Sequence, residues 1–183
     1  MLNIAIIGAG LSGLTAANIL HDHAKVTVFD KAKGPSGRLA TRRADPYSFD
    51  HGCQFFSAKS NAFKELLAPM LRQGVIKFWD ATFVEIENRQ IAKSRQWDAQ
   101  NPHYVGSPSM NAVGKFLSQD LRLALGTPVT AVRKTSTGWL LKGDTGQDLG
   151  QFDWVVSAVP AQQAAALWPE DTSFCTRVKT AQM

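Results

Sequence analysis

The chain has 183 residues, of which 44% are hydrophobic and 19% are charged, so it can bury the core of one domain or slightly more. This composition excludes a disordered or a fibrous protein. The formal net charge is +5, but the lysines and arginines are scattered apart from Arg38, Arg42 and Arg43, and no basic helix with interleaved aromatic residues appears. We therefore expect no nucleic-acid partner, and Arg42 and Arg43 can simply form a solvated basic face.

The N-terminal apolar run, Leu2 to Ala9, is only eight residues long and follows Met1 without a basic leader. We expect no secretion signal and no membrane span, which places the protein in the cytosol. The two cysteines, Cys53 and Cys175, lie too far apart in sequence for a metal knuckle, and cytosolic thiols stay reduced. Neither a metal site nor a disulfide is therefore expected.

The first thirty residues predict a strand, a glycine turn, a helix and a second strand. Leu2 to Ile7 is a continuous apolar run, which is typical of a parallel strand buried on both faces. Gly8, Gly10 and Gly13 follow in G-x-G-x-x-G spacing, apolar residues then recur at helical spacing to about His21, and a second apolar run begins at Lys25. This order is that of a nucleotide-binding βαβ unit.

The residue types of this turn suit a dinucleotide. Gly8 permits the tight turn, Gly10 lets a phosphate approach the backbone, and Gly13 lets the helix pack closely on the strand. Asp30 ends the second strand about 20 residues after Gly8, where a carboxylate accepts hydrogen bonds from ribose hydroxyls and repels a 2′-phosphate. NAD and FAD both fit this pattern, whereas plain turn glycines and a surface carboxylate at Asp30 are the alternative interpretations.

After Asp30 the sequence no longer follows the pattern of an NAD-dependent dehydrogenase, because a polar stretch interrupted by glycine replaces the next βα repeat. In this stretch and beyond, the chain resembles flavoproteins of the amine-oxidase superfamily, and among them the renalase-like group. The resemblance runs along essentially the whole chain and rests on five segments in order: GAGLSGL, VFDKAKGPSGRLATRR, FDHGCQFFSAKS, YVGSPSMNAVGKFL and FDWVVSAVPAQQAAAL. An NAD-dependent dehydrogenase stays open as a less favoured alternative.

The resemblance implies an α/β fold with a Rossmann-like FAD-binding domain of the two-dinucleotide-binding type, a parallel sheet with a β-meander crossover, and the first part of an inserted substrate domain. It implies FAD as cofactor, with Arg38 on the pyrophosphate, Gln54 and Phe55 beside the flavin, and Val129 against the adenine. In full, the implied cofactor-binding residues are Gly8, Ala9, Gly10, Leu11, Ser12, Gly13, Asp30, Lys31, Gly37, Arg38, Gly52, Gln54, Phe55 and Val129.

Two positions differ from that group's usual pattern. Ser36 stands where a glycine is usual, and it is strained if the position requires a positive φ. Cys53 stands where alanine is common, and nothing in the sequence indicates a lowered thiol pKa. No catalytic base is recognisable, so we name no catalytic residue.

The remaining segments predict a helix capped by Ser60 and ended by Gly74, short aromatic-rich strands up to His103, and a helix capped by Ser107 or Ser109. Three strands then follow, TPVTAVRK, GWLLKGD and FDWVVSAVPA, the last with the apolar run of a central parallel strand. Four aromatic residues either line a substrate cavity or, as we favour, simply pack: Trp79, Phe83, Trp97 and Tyr104.

The resulting domain assignment is an FAD-binding first segment at 1–74, a partial substrate domain at 75–106, an FAD-binding second segment at 107–168, and from 169 to 183 the opening strand of a further substrate-domain segment. The resembled proteins continue beyond this point, so we expect a shortened chain whose missing half a separate polypeptide can carry. The expected activity is oxidation of a reduced nicotinamide-type or amine substrate with dioxygen as acceptor. The alternative of another class is a nucleotide-binding fragment without catalysis.

Overall fold

The computed structural model describes residues 1–97 and 102–181, which form two compact units. The first unit comprises Met1–Arg38 and the described residues from Leu117 onward, and the second comprises Leu39–Phe116. In chain order the elements are β1 (Asn3–Ile7), α1 (Leu11–Leu20), β2 (Lys25–Asp30), a 3-10 turn (Gly37–Leu39), β3 (Thr41–Ala44), β4 (Tyr47–Asp50), β5 (Phe56–Ser57), α2 (Asn61–Arg72), β6 (Ile76–Phe78), β7 (Thr82–Glu87), β8 (Gln90–Gln96), β9 (His103–Gly106), α3 (Asn111–Leu117), β10 (Leu123–Leu125), β11 (Val129–Thr135), β12 (Gly138–Gly143), β13 (Asp148–Phe152), β14 (Trp154–Ser157), α4 (Ala161–Leu167) and α5 (Cys175–Lys179).

The first unit is built on a parallel sheet with strand order β10-β2-β1-β14. The apolar run of β1 is buried between its neighbours, with Ile6 fully buried and opposite Val28 of β2. The helix α1 crosses from β1 to β2, as the sequence predicts, and buries Leu14 and Ala17. The prediction of an α/β fold with a Rossmann-like domain is therefore confirmed.

A three-stranded antiparallel meander, β11-β12-β13, packs on this sheet through a shared apolar core. The rings of Phe29 in β2 and Phe152 in β13 meet edge to face, with 5.7 Å between their centroids. The members of this core are Ala5, Ile7, Phe29, Val132, Leu141, Phe152, Trp168 and Cys175. The meander that the sequence comparison implied is thus present.

The end of the meander corrects two expectations. The segment FDWVVSAVPA does not form one strand, because β13 ends at Phe152 and β14 begins at Trp154 and pairs in parallel with β1. Strand β13, Asp148–Phe152, forms although Asp and Gly are poor strand formers; it pairs with β12 across a bulge and places Gly150 at φ +127°. Among the described residues, β14 is an edge strand of the sheet, not a central one.

The segment EDTSFCTRVKTAQM is predicted from the sequence to open a strand, but its described part contains a helix instead, and residues 182–183 lie outside the described residues. Cys175–Lys179 forms α5, and its first residue is buried and donates a hydrogen bond from Sγ to the carbonyl oxygen of Pro169 at 3.4 Å. The rings of Trp168 and Phe174, the residue just before α5, pack edge to face. The segment is short and has no strong period, so its sequence does not distinguish a strand from a helix that packs on one side.

The second unit contains three small antiparallel sheets and α2. The sheets are the β3–β4 hairpin, the β7–β8 hairpin and a three-stranded sheet of order β5-β9-β6. Ser60 caps α2 as predicted, because its Oγ accepts a hydrogen bond from the Phe63 N–H at 3.2 Å, and Gly74 follows the helix with φ +69°. The helix is continuous through Pro69.

The four aromatic residues considered for a substrate cavity take part in ring contacts within the second unit. Tyr104 is buried and stacks on Phe56 at 5.6 Å, and Trp97 lies parallel to the His103 ring at 3.7 Å. Trp79 meets Trp97 edge to face at 4.8 Å. Such mutual stacking is what packing produces. Residues 98–101 of the predicted substrate segment lie outside the described residues.

Candidate dinucleotide-binding site

The glycine turn between β1 and α1 has the close packing that its spacing predicts. Gly8 has φ +111°, and a Cβ placed there would lie 3.0 Å from the Ala158 carbonyl oxygen. A Cβ at Gly13 would lie only 1.9 Å from the Gly8 carbonyl oxygen, so α1 packs directly on the turn. The sheet and helix therefore impose glycine at both positions for steric reasons alone.

The second glycine faces another glycine from a distant turn. A Cβ at Gly37, whose φ is +53°, would lie 2.9 Å from the Gly10 Cα atom. Next to this contact the Ser36 N–H donates to the Ala9 carbonyl oxygen at 2.9 Å, and a bridge pairs Ser36 with Gly10. The two glycine backbones therefore lie directly against each other, and we call this pair of turns the cradle. Because Gly10 has no side chain, a phosphate could approach the backbone on the open side of the turn.

Ser36 adopts the conformation that would strain it. Its φ is +133°, and its side chain is almost entirely buried. A residue with a Cβ rarely adopts this region of backbone space, which glycine occupies at little cost. The expectation that the usual glycine here serves a positive φ is therefore consistent with the geometry.

The N-terminus of α1 opens toward this cradle with its N–H groups. The first intrahelical bond of the helix runs from Leu14 N–H to the Gly10 carbonyl oxygen at 2.9 Å, and Gly10 caps the helix without a side chain. The first-turn amides of Leu11, Ser12 and Gly13 thus precede that bond, and a helix start of this kind attracts anions. These three residues belong to the predicted cofactor-binding set.

Asp30 ends β2 beside the turn, but its carboxylate is already hydrogen-bonded within the chain. Oδ2 accepts from the Ala9 N–H at 2.6 Å, and Oδ1 accepts from the Ala32 N–H at 2.8 Å. Each carboxylate oxygen keeps a further lone pair for a ribose hydroxyl. The neighbouring Lys31 and Arg38 are exposed, and neither forms an ion pair with any residue that the structure describes.

Val129, the first residue of β11, is partly buried and packs against the apolar core of the first unit. The three remaining predicted cofactor residues, Gly52, Gln54 and Phe55, belong to the second unit. They lie in the irregular segment between β4 and β5. Their role beside a flavin stays a prediction.

Phe55 is 39% exposed, and its ring contacts Trp79 and Trp97 at centroid distances of 5.4 and 4.9 Å. Its carbonyl oxygen accepts a hydrogen bond from the Cys53 Sγ–H at 3.1 Å. Burial raises the pKa of the Cys53 thiol above its ordinary value and the negative charge of Asp50 adds to this, although the bond to Phe55 acts in the opposite direction. A thiol of this kind is protonated at neutral pH and lacks the character of a reactive cysteine.

Sequence reasoning missed a group of hydrogen bonds at the start of α3, which we call the clasp: the side chains of Asp50 and Thr41 accept the backbone N–H groups of Met110 and Asn111. Both Asp50 carboxylate oxygens accept from the Met110 N–H at 3.1 Å, and Thr41 Oγ1 accepts from the Asn111 N–H at 3.2 Å while donating to Asp50 at 2.5 Å. Ser109 instead donates from Oγ to the Asn111 side chain at 3.1 Å. The register of the β3–β4 hairpin, which places Thr41 opposite Asp50, is the signal that could have found this clasp.

Two negative findings hold for residues 1–97 and 102–181. No group of three histidine, cysteine, aspartate or glutamate side chains is arranged to hold a metal ion. No helix there is both long and apolar enough to cross a membrane.

Comparisons with known proteins agree with the geometry of the first unit. Residues 6–70 match the family of NAD(P)-binding Rossmann-like domains. Among solved structures, a candidate protoporphyrinogen oxidase from Exiguobacterium sp. 255-15 superposes with a TM-score of 0.71 at 12% identity, over 98% of this chain and 63% of that one. Wild-type putrescine oxidase bound to putrescine gives a TM-score of 0.69 at 15% identity, over 91% of this chain and 60% of that one. The chain therefore spans less than two thirds of the length of these two structures and shares their fold.

Proposed function

We propose that this chain is the dinucleotide-binding part of an FAD-dependent oxidoreductase of the renalase-like, amine-oxidase-related group. The observation that carries the proposal is the cradle in which the bare backbones of Gly10 and Gly37 face each other beside the N-terminus of α1. Bare backbone at Gly10 would let a phosphate approach the turn, and the first-turn amides of α1 would attract its charge. The resemblance of the sequence to that group and the likeness of the fold to two oxidases support FAD over NAD.

In this proposal the first unit holds the adenosine and pyrophosphate half of the cofactor. The amides of Leu11 and Ser12 would donate to pyrophosphate oxygens, and Arg38 would add forked, charge-assisted hydrogen bonds. Asp30 would accept from the ribose hydroxyls, and Val129 would lie against the adenine. Gly8, Ala9, Gly13, Lys31 and Gly37 complete the cofactor-binding set of this unit.

Gly52, Gln54 and Phe55 would serve the flavin ring. Gln54 can both donate to and accept from a polar flavin edge, and the exposed Phe55 ring offers apolar surface. When bound, FAD would supply the acceptor for a hydride from a reduced nicotinamide-type or amine substrate, and dioxygen would then take the electrons and become hydrogen peroxide. The residues of this chain would bind and orient the cofactor, and no side chain here is assigned as a catalytic base.

The test is the identity of the nucleotide that the purified protein carries. Protein loaded with FAD, freed of excess and denatured should release a supernatant with the two visible absorption bands of oxidised flavin. Release of NAD in place of flavin would instead support the dehydrogenase alternative. Protein that retains neither nucleotide would refute the proposal.

A pair of charge-matched variants tests the assignment of Arg38. Arg38→Ala should weaken FAD binding roughly 10- to 100-fold, since a hydrogen bond to a charged group contributes about 1.5–3 kcal/mol. Arg133→Ala removes the same charge from an exposed position on β11 and should leave the affinity unchanged. Fluorescence quenching of FAD measures both, and equal effects of the two substitutions would indicate general electrostatics instead of a specific contact.

A second candidate is a nucleotide-binding polypeptide without catalysis of its own, which is supported by a site whose assigned residues bind a dinucleotide and include no catalytic base. In that case FAD-loaded, soluble protein would produce no hydrogen peroxide with reduced nicotinamide dinucleotides or amines. Production of peroxide only after addition of a separate polypeptide would indicate a site that two chains complete.

A further inference from the structure

Ala9, the residue between the first two glycines of the turn, has both backbone polar groups paired. It is fully buried, its N–H donates to Asp30 Oδ2 at 2.6 Å, and its carbonyl oxygen accepts from the Ser36 N–H at 2.9 Å. A buried N–H without such an acceptor would cost about 1–3 kcal/mol. The carboxylate therefore satisfies a buried backbone group of the turn.

Asp30 is well placed to hold the turn rigidly because it is itself fixed from several directions. Its second carboxylate oxygen accepts from Ala32 N–H at 2.8 Å, and its own carbonyl oxygen accepts from Thr127 N–H at 2.9 Å. Just before it, the Phe29 carbonyl oxygen accepts from Gly8 N–H at 2.8 Å. Two successive amides of the turn are thus bound by two successive residues at the end of β2.

From this geometry we infer that Asp30 is a positioning residue: by fixing the Ala9 peptide it sets the orientation of the Gly10 backbone and the α1 amides that receive the pyrophosphate. The inference rests on the proposed dinucleotide site, but it goes beyond a contact between Asp30 and ribose. A residue that acts only on the ribose influences only ligands with ribose hydroxyls. A residue that orients the turn influences every ligand with a pyrophosphate, whether or not it has those hydroxyls.

The experiment compares two probes, ADP and 2′,3′-dideoxy-ADP, on three proteins by calorimetry. Asp30→Asn keeps the size of the side chain but replaces one acceptor oxygen by a donor and removes the charge, so one of the two backbone bonds is lost and the other is weakened. Asp153→Asn is the matched control, because Asp153 Oδ2 also accepts a backbone N–H, that of Asn3 at 2.7 Å, and immediately precedes β14. We expect Asp30→Asn to weaken both probes about tenfold or more and Asp153→Asn to weaken neither.

The amide of Ala9 gives a readout that a loss of overall stability would not produce. In the wild-type protein without ligand, this amide should exchange slowly with solvent, and in Asp30→Asn it should exchange much faster than its neighbour Gly8. Asp153→Asn should leave both amides protected. If Asp30→Asn does not fold, the wild-type protein still decides the matter, because fast exchange at Ala9 would overturn the inference.

The outcomes separate this inference from the proposed function. Loss of ADP affinity with unchanged dideoxy-ADP affinity would overturn the inference and leave Asp30 as a ribose ligand, while FAD binding by the wild type would still support the proposed function. Wild-type protein that binds both ADP probes but not FAD would refute the flavin assignment and leave the positioning role standing. Failure of the wild type to bind either ADP probe would overturn the inference, and failure to bind FAD as well would overturn both.

Discussion

Ser36 provides the sharpest test of whether the cradle beside the glycine turn carries backbone strain. The residue has φ +133° and is almost fully buried, while its N–H holds the Ala9 carbonyl oxygen. Ser36→Gly preserves that backbone bond and removes the Cβ that makes the conformation costly. Ser36→Ala is the matched control, because it also removes the hydroxyl but keeps the Cβ.

The difference between the two variants can be estimated from opposing terms. A residue with a Cβ in a sparsely populated backbone region costs roughly 1–3 kcal/mol. Glycine also stabilises the unfolded state, because it gives the unfolded chain more conformational freedom. This effect offsets about 0.4–1 kcal/mol of the relieved strain. Ser36→Gly should therefore be more stable than Ser36→Ala by about 1–2 kcal/mol, whatever the serine hydroxyl itself contributes.

Urea unfolding followed by circular dichroism measures this difference. With a denaturant slope of about 2 kcal/mol per molar, the two midpoints should differ by roughly 0.5–1 M. Hydrogen exchange at amides of β1, such as that of Ile6, should report the same gain locally. A variant Ser36→Ala that is as stable as Ser36→Gly would show that the φ of residue 36 carries no strain, and the reasoning would be wrong.

Three further predictions concern packing, the clasp and the thiol. Gly13→Ala should destabilise the protein by about 3 kcal/mol or more in urea unfolding, because its Cβ would lie 1.9 Å from a carbonyl oxygen. In the control Gly34→Ala the added Cβ enters open space, so the free energy of unfolding should change by no more than about 0.5 kcal/mol. Equal effects of the two substitutions would contradict the packing at Gly13. Asp50→Ala should lower the free energy of unfolding by about 2 kcal/mol in the same measurement, since it removes the carboxylate that accepts the Met110 N–H at the start of α3. The control Asp144→Ala changes an exposed residue and should lower it little. Alkylation of Cys53 should reach half its maximal rate at a higher pH in the folded protein than in urea, because folding raises the pKa of its thiol. Cys53→Ser identifies the reacting thiol. A lower pH of half-maximal alkylation in the folded protein would refute the burial argument.

The parts of the fold that the sequence predicted are those whose signals are local. The glycine spacing, the apolar run of β1 and the cap of α2 each depend on residues within one turn or one strand, so their physical causes can be read from a short window. Even the strain at Ser36 could be anticipated, because it follows from a single residue type at a position that usually holds glycine. The structure adds the partner of each glycine, such as Gly37 opposite Gly10.

The parts that sequence reasoning missed depend on pairing between distant segments. Strand β13 contains Asp148 and Gly150, which favour a turn in isolation, and it forms because β12 offers a ladder of partners. Helix α5 has no strong helical period, and its buried Cys175 is explained only by the core that it reaches. In both cases tertiary contacts override a weak local preference.

The same distinction applies within the candidate site and explains the two carboxylates. Asp30 was recognised from its distance to the glycine turn, but its bonds to Ala9 and Ala32 follow from how the chain bends after β2. Asp50 was not recognised, because its bonds to the start of α3 require the pairing of β3 with β4. Asp30 accepts the Ala9 N–H just before α1 and Asp50 accepts the Met110 N–H just before α3, and an acceptor that is occupied in this way fixes the backbone around it. A spacing rule can identify such a residue, but only the three-dimensional contacts distinguish an acid that binds a ligand from one that shapes the site around it.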